Sequence, residues 1–231
     1  MSQRSRINSS GSEDRLERLI DERLQAGADK RLIDQRIWEL FGEDWCVMYT
    51  DLSGFSRRVM EFGIIHFLQT IYESECLLIP VIESSGGILL KVEGDSMLVI
   101  FRNPSQALKC SITLQQLLHK FNKTRLPEEQ ILLCLGLGFG RVLRIGDSDV
   151  FGVEVNSACK LGEDFAVAWE ILCTGPFARA CETLPHGVAF EPLPQAPAGT
   201  DSAFKVIYPV VLEKGGVYAA DHNHAGSAAG V

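Results

Sequence analysis

One stretch constrains this chain more than any other: residues 47–56, VMYTDLSGFS. An apolar run stops at Asp51, Leu-Ser-Gly-Phe-Ser follows at once, and an amphipathic stretch then begins. This is the pattern of a buried strand delivering a carboxylate to its C-terminal edge. Gly54 lets the backbone turn tightly and aim N–H groups from a helix N-terminus, an arrangement that favours phosphate. Negative charge beside such donors makes electrostatic sense when a divalent cation sits between them. A second carboxylate is then needed, and residues 89–101, LLKVEGDSMLVIF, supply it. Two apolar runs joined at Glu93-Gly94-Asp95 read as a hairpin with Asp95 at its tip. Two strand-edge aspartates, each near a glycine, suit a two-metal phosphoryl-transfer site whose ions lie roughly 3.5–4 Å apart.

Composition narrows the surroundings of such a site. The 231 residues suit one α/β or α+β domain with length left for ends, and 46% hydrophobic content can bury a core. A net charge of −8 leaves no basic stripe for a general nucleic-acid binder, but it does not forbid one nucleotide held through metal. Seven cysteines lie mostly in apolar runs without a CxxC pair, so reduced, packed thiols and a cytoplasmic location are expected. The first residues lack the apolar core of a secretion signal, and no apolar run approaches the ~20 residues of a membrane span.

Along the chain, residues 1–12 are polar and Ser-rich and are expected to be disordered. Residues 13–42 repeat apolar positions at helical spacing, with a break near Gly27 and Asp29. They form a helical arm, packed on its own domain or serving dimerisation. Residues 43–213 form the main domain. Its first strand spans 45–50, helices follow at 57–62 and 64–84 with Gly63 as a joint, and the hairpin covers 88–101. A helix at 105–122 precedes a strand at 131–145, in which Gly136, Gly138 and Gly140 share one face. Such a row signals close approach of another backbone or a ligand. A helix at about 153–162, a strand at 169–174, a short helix at 176–183 and strands at 187–192 and 203–212 complete the domain. Residues 214–231 read as a flexible tail, and the HNH at 222–224 as part of that tail rather than a metal site. The element order fits a ferredoxin-like split βαβ sheet with extra strands, an α+β fold.

The segments VMYTDLSGFS, GGILLKVEGDSMLVIF and DVFGVEVNSACKL, in this order and at these separations, resemble the catalytic domain of class III adenylate/guanylate cyclases over residues 45–209. The resemblance implies that Asp51 and Asp95 hold two Mg²⁺ or Mn²⁺ ions. It also implies that the backbone of Leu52, Ser53, Gly54, Phe55 and Ser56 cradles the terminal phosphates. Lys91 and Asp149 fall where adenylate-forming members read adenine, the lysine donating to a ring nitrogen and the aspartate accepting from the exocyclic amine. Guanine would meet the same pair with repulsion at both places. Asn156 matches the asparagine that orients the ribose, and Lys160 stands where relatives carry a transition-state arginine. Lysine keeps the charge there but loses the planar fork. Lys205 is a further candidate for the terminal phosphates.

The implied reaction is cyclisation of ATP to 3′,5′-cyclic AMP and pyrophosphate. The family builds its site between two subunits, and this chain carries both sets of residues once, so a homodimer with two shared sites is implied. Two other readings stay open: cyclisation of GTP or a pyrimidine nucleotide, and a catalytically impaired nucleotide-binding or dimerisation module resting on the lysine at 160.

Overall fold

The computed structural model describes residues 11–212 and 216–219. The expectations for residues 1–10 and 220–231, including the HNH segment, lie outside the described residues. The N-terminal arm is a helical hairpin, α1 (Gly11–Leu24) and α2 (Lys30–Phe41). Asp29 starts α2 by accepting from the Arg31 and Leu32 N–H groups, which explains the break read at that position. The arm packs on its own domain: Leu19, Ile33, Ile37 and Phe41 cluster with Ile145. Arg23 and Asp34 pair across the two helices at 2.6 Å.

No loop separates arm from domain. Helix α2 ends at Phe41, and β1 begins at the next residue and runs Gly42–Leu52, three residues earlier than the apolar pattern alone predicts. The extra residues form a strand because Gly42 to Asp44 pair with Leu143 to Arg141 of the neighbouring strand, contacts that exist only once the sheet is assembled. After β1 come α3 (Phe55–Phe62), α4 (Ile64–Ser84), β2 (Ile88–Glu93) and β3 (Ser96–Phe101). Gly63 joins the two helices at φ +87°, and Gly94 turns the hairpin at φ +62°, conformations open to glycine. Next are α5 (Pro104–Asn122), β4 (Leu133–Ile145), β5 (Asp149–Phe151), α6 (Val153–Lys160), a π turn at Leu161–Phe165, β6 (Ile171–Thr174) and α7 (Gly175–Ala180). β7 (Ala189–Pro192), β8 (Ala203–Ile207), β9 (Pro209–Leu212) and β10 (Gly216–Ala219) close the described chain. Several boundaries differ from the sequence pattern: α3 begins at Phe55, β4 at Leu133 and β7 at Ala189, and α7 ends at Ala180. Trp169 has φ +74° and stands outside β6, and the stretch 203–212 breaks at Tyr208 into β8 and β9. β9 pairs with β10, inside the segment read as tail.

Among the described residues, eight strands form one sheet in the order β2-β3-β1-β4-β6-β8-β7, with β5 on the end of β4. β4 and β6 are parallel and the other pairs are antiparallel. Central β1 buries both faces. Cys46, Met48 and Leu52 pack with α4 and α5 side chains such as Leu78 and Leu114, whereas Trp45 and Val47 face Val155 and Ala158 of α6. Each large buried apolar side chain contributes about 1.5–3 kcal/mol, so the two faces together clamp this strand. No described helix is long and apolar enough to cross a membrane. All seven cysteines are free, and only Cys76 is exposed.

The glycine row of β4 is answered by backbone. A Cβ at Gly136 would strike Ala158 O and come within 2.6 Å of Gly162 N, and one at Gly138 would lie 2.6 Å from Glu154 O. Helix α6 therefore lies directly on β4, closer than any side chain permits. Glu154, at its first turn, accepts from the Phe139 N–H at 3.1 Å and from Thr174 Oγ1 at 2.6 Å. These contacts pin α6, and with it Asn156 and Lys160, above the sheet.

Candidate active site

Asp51 lies at the end of β1 and Asp95 in the β2–β3 turn. Pairing of β1 with β3 brings the two together, since Thr50 stands opposite Met97. The Leu52 N–H is turned toward both carboxyls and lowers the pKa of each. Burial outweighs it and raises both. Asp51 is pushed up to about 6 by burial first and the charge of Asp95 second, and Ser96 Oγ donates to its Oδ1 at 3.0 Å. Among the described residues neither carboxylate forms an ion pair with a basic side chain.

The turn after Asp51 divides its donors. The Ser53 N–H is spent on Leu132 O at 2.8 Å, so of the expected phosphate cradle Ser53 contributes no free amide. Gly54 then takes φ +86°, and α3 starts at Phe55 without a side-chain cap. A helix start leaves its first amides without intrahelical partners, and here that start holds Gly54, Phe55 and Ser56.

Lys91 and Asp149 come together on the same face of the sheet, since Lys91 stands opposite Leu98 and Leu98 opposite Tyr49. Lys91 Nζ donates to Asp149 Oδ2 at 3.2 Å and lies 3.3 Å from Glu93 Oε1. The other oxygen of Asp149 accepts from the Val150 N–H at 2.8 Å. Its two carboxylates hold the pKa of Lys91 above the usual lysine value against desolvation. The pair lines a groove of about 300 Å³ that also receives Tyr49, Ser96, Asn156, Cys159 and Glu163. Ser96 is the partner of Asp51, so the carboxylate pair and the groove adjoin.

Asn156 and Lys160 are exposed on α6, one turn apart. Asn156 lines the groove; Lys160 does not, and it makes no hydrogen bond or ion pair among the described residues. Lys205 is held elsewhere. Its ammonium pairs with Glu170 at 2.8 Å, both side chains are largely buried, and it does not line the groove. Tyr49, Ser96 and Glu163 are groove residues that the motifs did not single out. Tyr49 was within reach, because strand alternation puts it on the face of Asp51. Glu163 was not, since a π turn rather than a further helical turn carries it.

No family model matches the chain. Over 128 residues it is 30% identical to the serine/threonine-protein kinase pkn2 of Myxococcus xanthus, covering 55% of this chain and 15% of that protein. It is 35% identical over 117 residues to the putative adenylate cyclase 3 of Rhizobium meliloti, covering 50% and 19%. The chain thus spans less than a fifth of the length of these two relatives. Among solved structures, an adenylate/guanylate cyclase/hydrolase from Silicibacter pomeroyi aligns at TM-score 0.59 and 26% identity, over 71% of this chain and 95% of that one. The guanylyl cyclase Cya2 aligns at TM-score 0.60 and 18% identity, over 71% and 90%. The fold is that of a class III nucleotidyl cyclase catalytic domain.

In this cyclase fold the donor set can be tested against the divalent ions it implies. No group of three or more His, Cys, Asp and Glu capable of holding a metal occurs among the described residues. Hard cations that keep waters and take one or two carboxylates plus phosphate oxygens fit a pair of carboxylates. Asp51 and Asp95 answer to that description: two partly buried carboxyls, raised by burial, and without a basic partner among the described residues. The groove beside them offers a donor and an acceptor side by side at Lys91 and Asp149.

Proposed function

We propose that this domain is a nucleotidyl cyclase that converts ATP to 3′,5′-cyclic AMP and pyrophosphate, acting as a homodimer with shared sites. The observation that carries this reading is the convergence of Asp51 and Asp95 on one backbone N–H, next to a groove holding the Lys91–Asp149 pair. Mg²⁺ or Mn²⁺ bound by Asp51 and Asp95 would lower the basicity of the ribose 3′-oxygen and neutralise triphosphate charge. The remaining work falls to the chain itself. The helix-start amides at Gly54, Phe55 and Ser56 bind phosphate oxygens, and Asn156 orients the ribose. Lys91 donates to a ring nitrogen of adenine while Asp149 accepts from the amine. The 3′-oxygen gives its proton to solvent water and bonds to the α-phosphorus, and the bond from that phosphorus to the bridging oxygen breaks, its electron pair leaving on pyrophosphate. Lys160 supplies positive charge near the α-phosphate as that charge develops.

Asp51, Asp95 and the helix-start amides of one subunit act with Lys91, Asp149, Asn156 and Lys160 of the other, a reading supported by Lys160 standing exposed on α6 without a partner among the described residues. Purified protein is incubated with each of the four nucleoside triphosphates and Mn²⁺, and cyclic product is identified by mass. Cyclic AMP as the main product supports the reading. Another cyclic nucleotide would move the base preference, and no product from any of the four would leave a binding or dimerisation module.

A further inference from the structure

The helical arm touches the domain at the turn that carries Asp149. β5 is three residues long and is held by pairing with Leu143 to Ile145 of β4. The arm grips this ribbon: Leu143 and Ile145 pack with Leu19, Ile33, Ile37 and Phe41. Glu13 Oε1 accepts from Ser148 Oγ at 2.7 Å, a contact across 135 residues and one position before Asp149. An apolar cavity of about 450 Å³ lies between arm and ribbon, bounded by Leu16, Ile37, Trp38 and Phe151. Phe151 also borders the groove that holds Lys91 and Asp149. One side chain thus faces both spaces, and a strand this short takes its position from what packs on it.

We propose that Glu13 and Ser148 are positioning residues: through their hydrogen bond and the Phe151 contact, the arm holds β5 so that Asp149 meets Lys91 in the groove. The inference deepens the cyclase reading and rests on it. It makes the first helix of the arm part of nucleotide recognition. Ser148 Oγ has a second acceptor, Ile145 O at 3.1 Å, so the turn keeps a local hydrogen bond when Glu13 is replaced.

The test compares wild type, Glu13→Ala, Ser148→Ala and Ser148→Thr, the last retaining the hydroxyl. Binding of 3′-deoxy-ATP, which lacks the attacking hydroxyl, is measured by calorimetry with Mg²⁺, alongside KM and kcat for ATP. We expect Glu13→Ala and Ser148→Ala to weaken 3′-deoxy-ATP binding and raise KM by about three- to tenfold. In both, kcat stays within about twofold, and Ser148→Thr behaves as wild type. Unchanged affinity and KM in both alanine variants, whatever their melting temperature, would overturn the inference while leaving the cyclase reading intact. A wild type that neither cyclises any of the four triphosphates nor binds 3′-deoxy-ATP refutes the cyclase reading itself, and this inference with it.

Discussion

Lys91 Nζ and Asp149 Oδ2, from residues 58 positions apart in sequence, stand 3.2 Å from each other at the wall of the groove. About a third of each side chain is exposed, so as an ion pair they contribute under about 1 kcal/mol to folding. In the proposed reaction their worth lies in what they present to a base. Lys91→Ala is expected to leave the melting temperature within a few degrees of wild type while lowering kcat/KM for ATP by about 10- to 100-fold. Steady-state kinetics and a thermal melt on the same preparation check both halves.

Asp51 makes stability depend on pH in the metal-free protein. Its folded pKa of about 6 lies above the ordinary 3.8. Its contribution is therefore full below about pH 4 and is lost as pH rises through 6. Asp51→Asn removes that loss. In EDTA at pH 7.5 the variant is expected to be more stable than wild type by about 1 kcal/mol, once solvent screening is allowed for. Added Mg²⁺ should stabilise wild type and not the variant, as read by denaturant titration with and without the ion.

Lys160 is exposed and without a partner among the described residues, so removing it costs the fold little. Lys160→Ala should lower kcat by about 10- to 100-fold, with the circular dichroism spectrum unchanged. Lys160→Arg restores the fork suited to two phosphate oxygens and should match or exceed wild type.

Gly136→Ala tests the seat of α6. The added methyl would collide with Ala158 O and lie 2.6 Å from Gly162 N, both backbone atoms that cannot swing away. A cost of about 2–3 kcal/mol is expected, lowering the melting temperature by about 5–10 °C. Activity should fall further than the loss of folded protein explains, because α6 carries Asn156 and Lys160.

The thiols respond to pH in a predictable direction. Burial pushes Cys110, Cys159 and Cys181 up to about 11 and Cys134 to about 12. Being raised in the fold, they support stability below about pH 9 and lose that contribution as pH climbs toward 11–12. A thiol reagent at pH 8 should label the exposed Cys76 first, the half-buried Cys159 of the groove more slowly, and the five buried thiols only on denaturation.

Much of this was legible in the chain because it depends on neighbours in sequence. The placement of Asp51 near the end of β1, the glycine turn before Asp95, the joint at Gly63 and the row at Gly136, Gly138 and Gly140 follow from local sterics and from the period-two and 3.6-residue patterns. Local pattern also fixed that Asn156 and Lys160 share a helical face. Assembly decided the rest. Gly42 to Asp44 become strand because β4 offers hydrogen bonds there. The Ser53 N–H goes to Leu132 O rather than to a ligand. Lys205 meets Glu170 because β8 lies beside β6, and Glu13 meets Ser148 because the arm folds back on β4. A sequence specifies directly what steric preference and hydrophobic spacing impose within a few residues. Which distant polar groups satisfy one another is set only when packing brings their elements together, and in this protein that choice decides that Lys205 is held by Glu170 and the Ser53 N–H by Leu132.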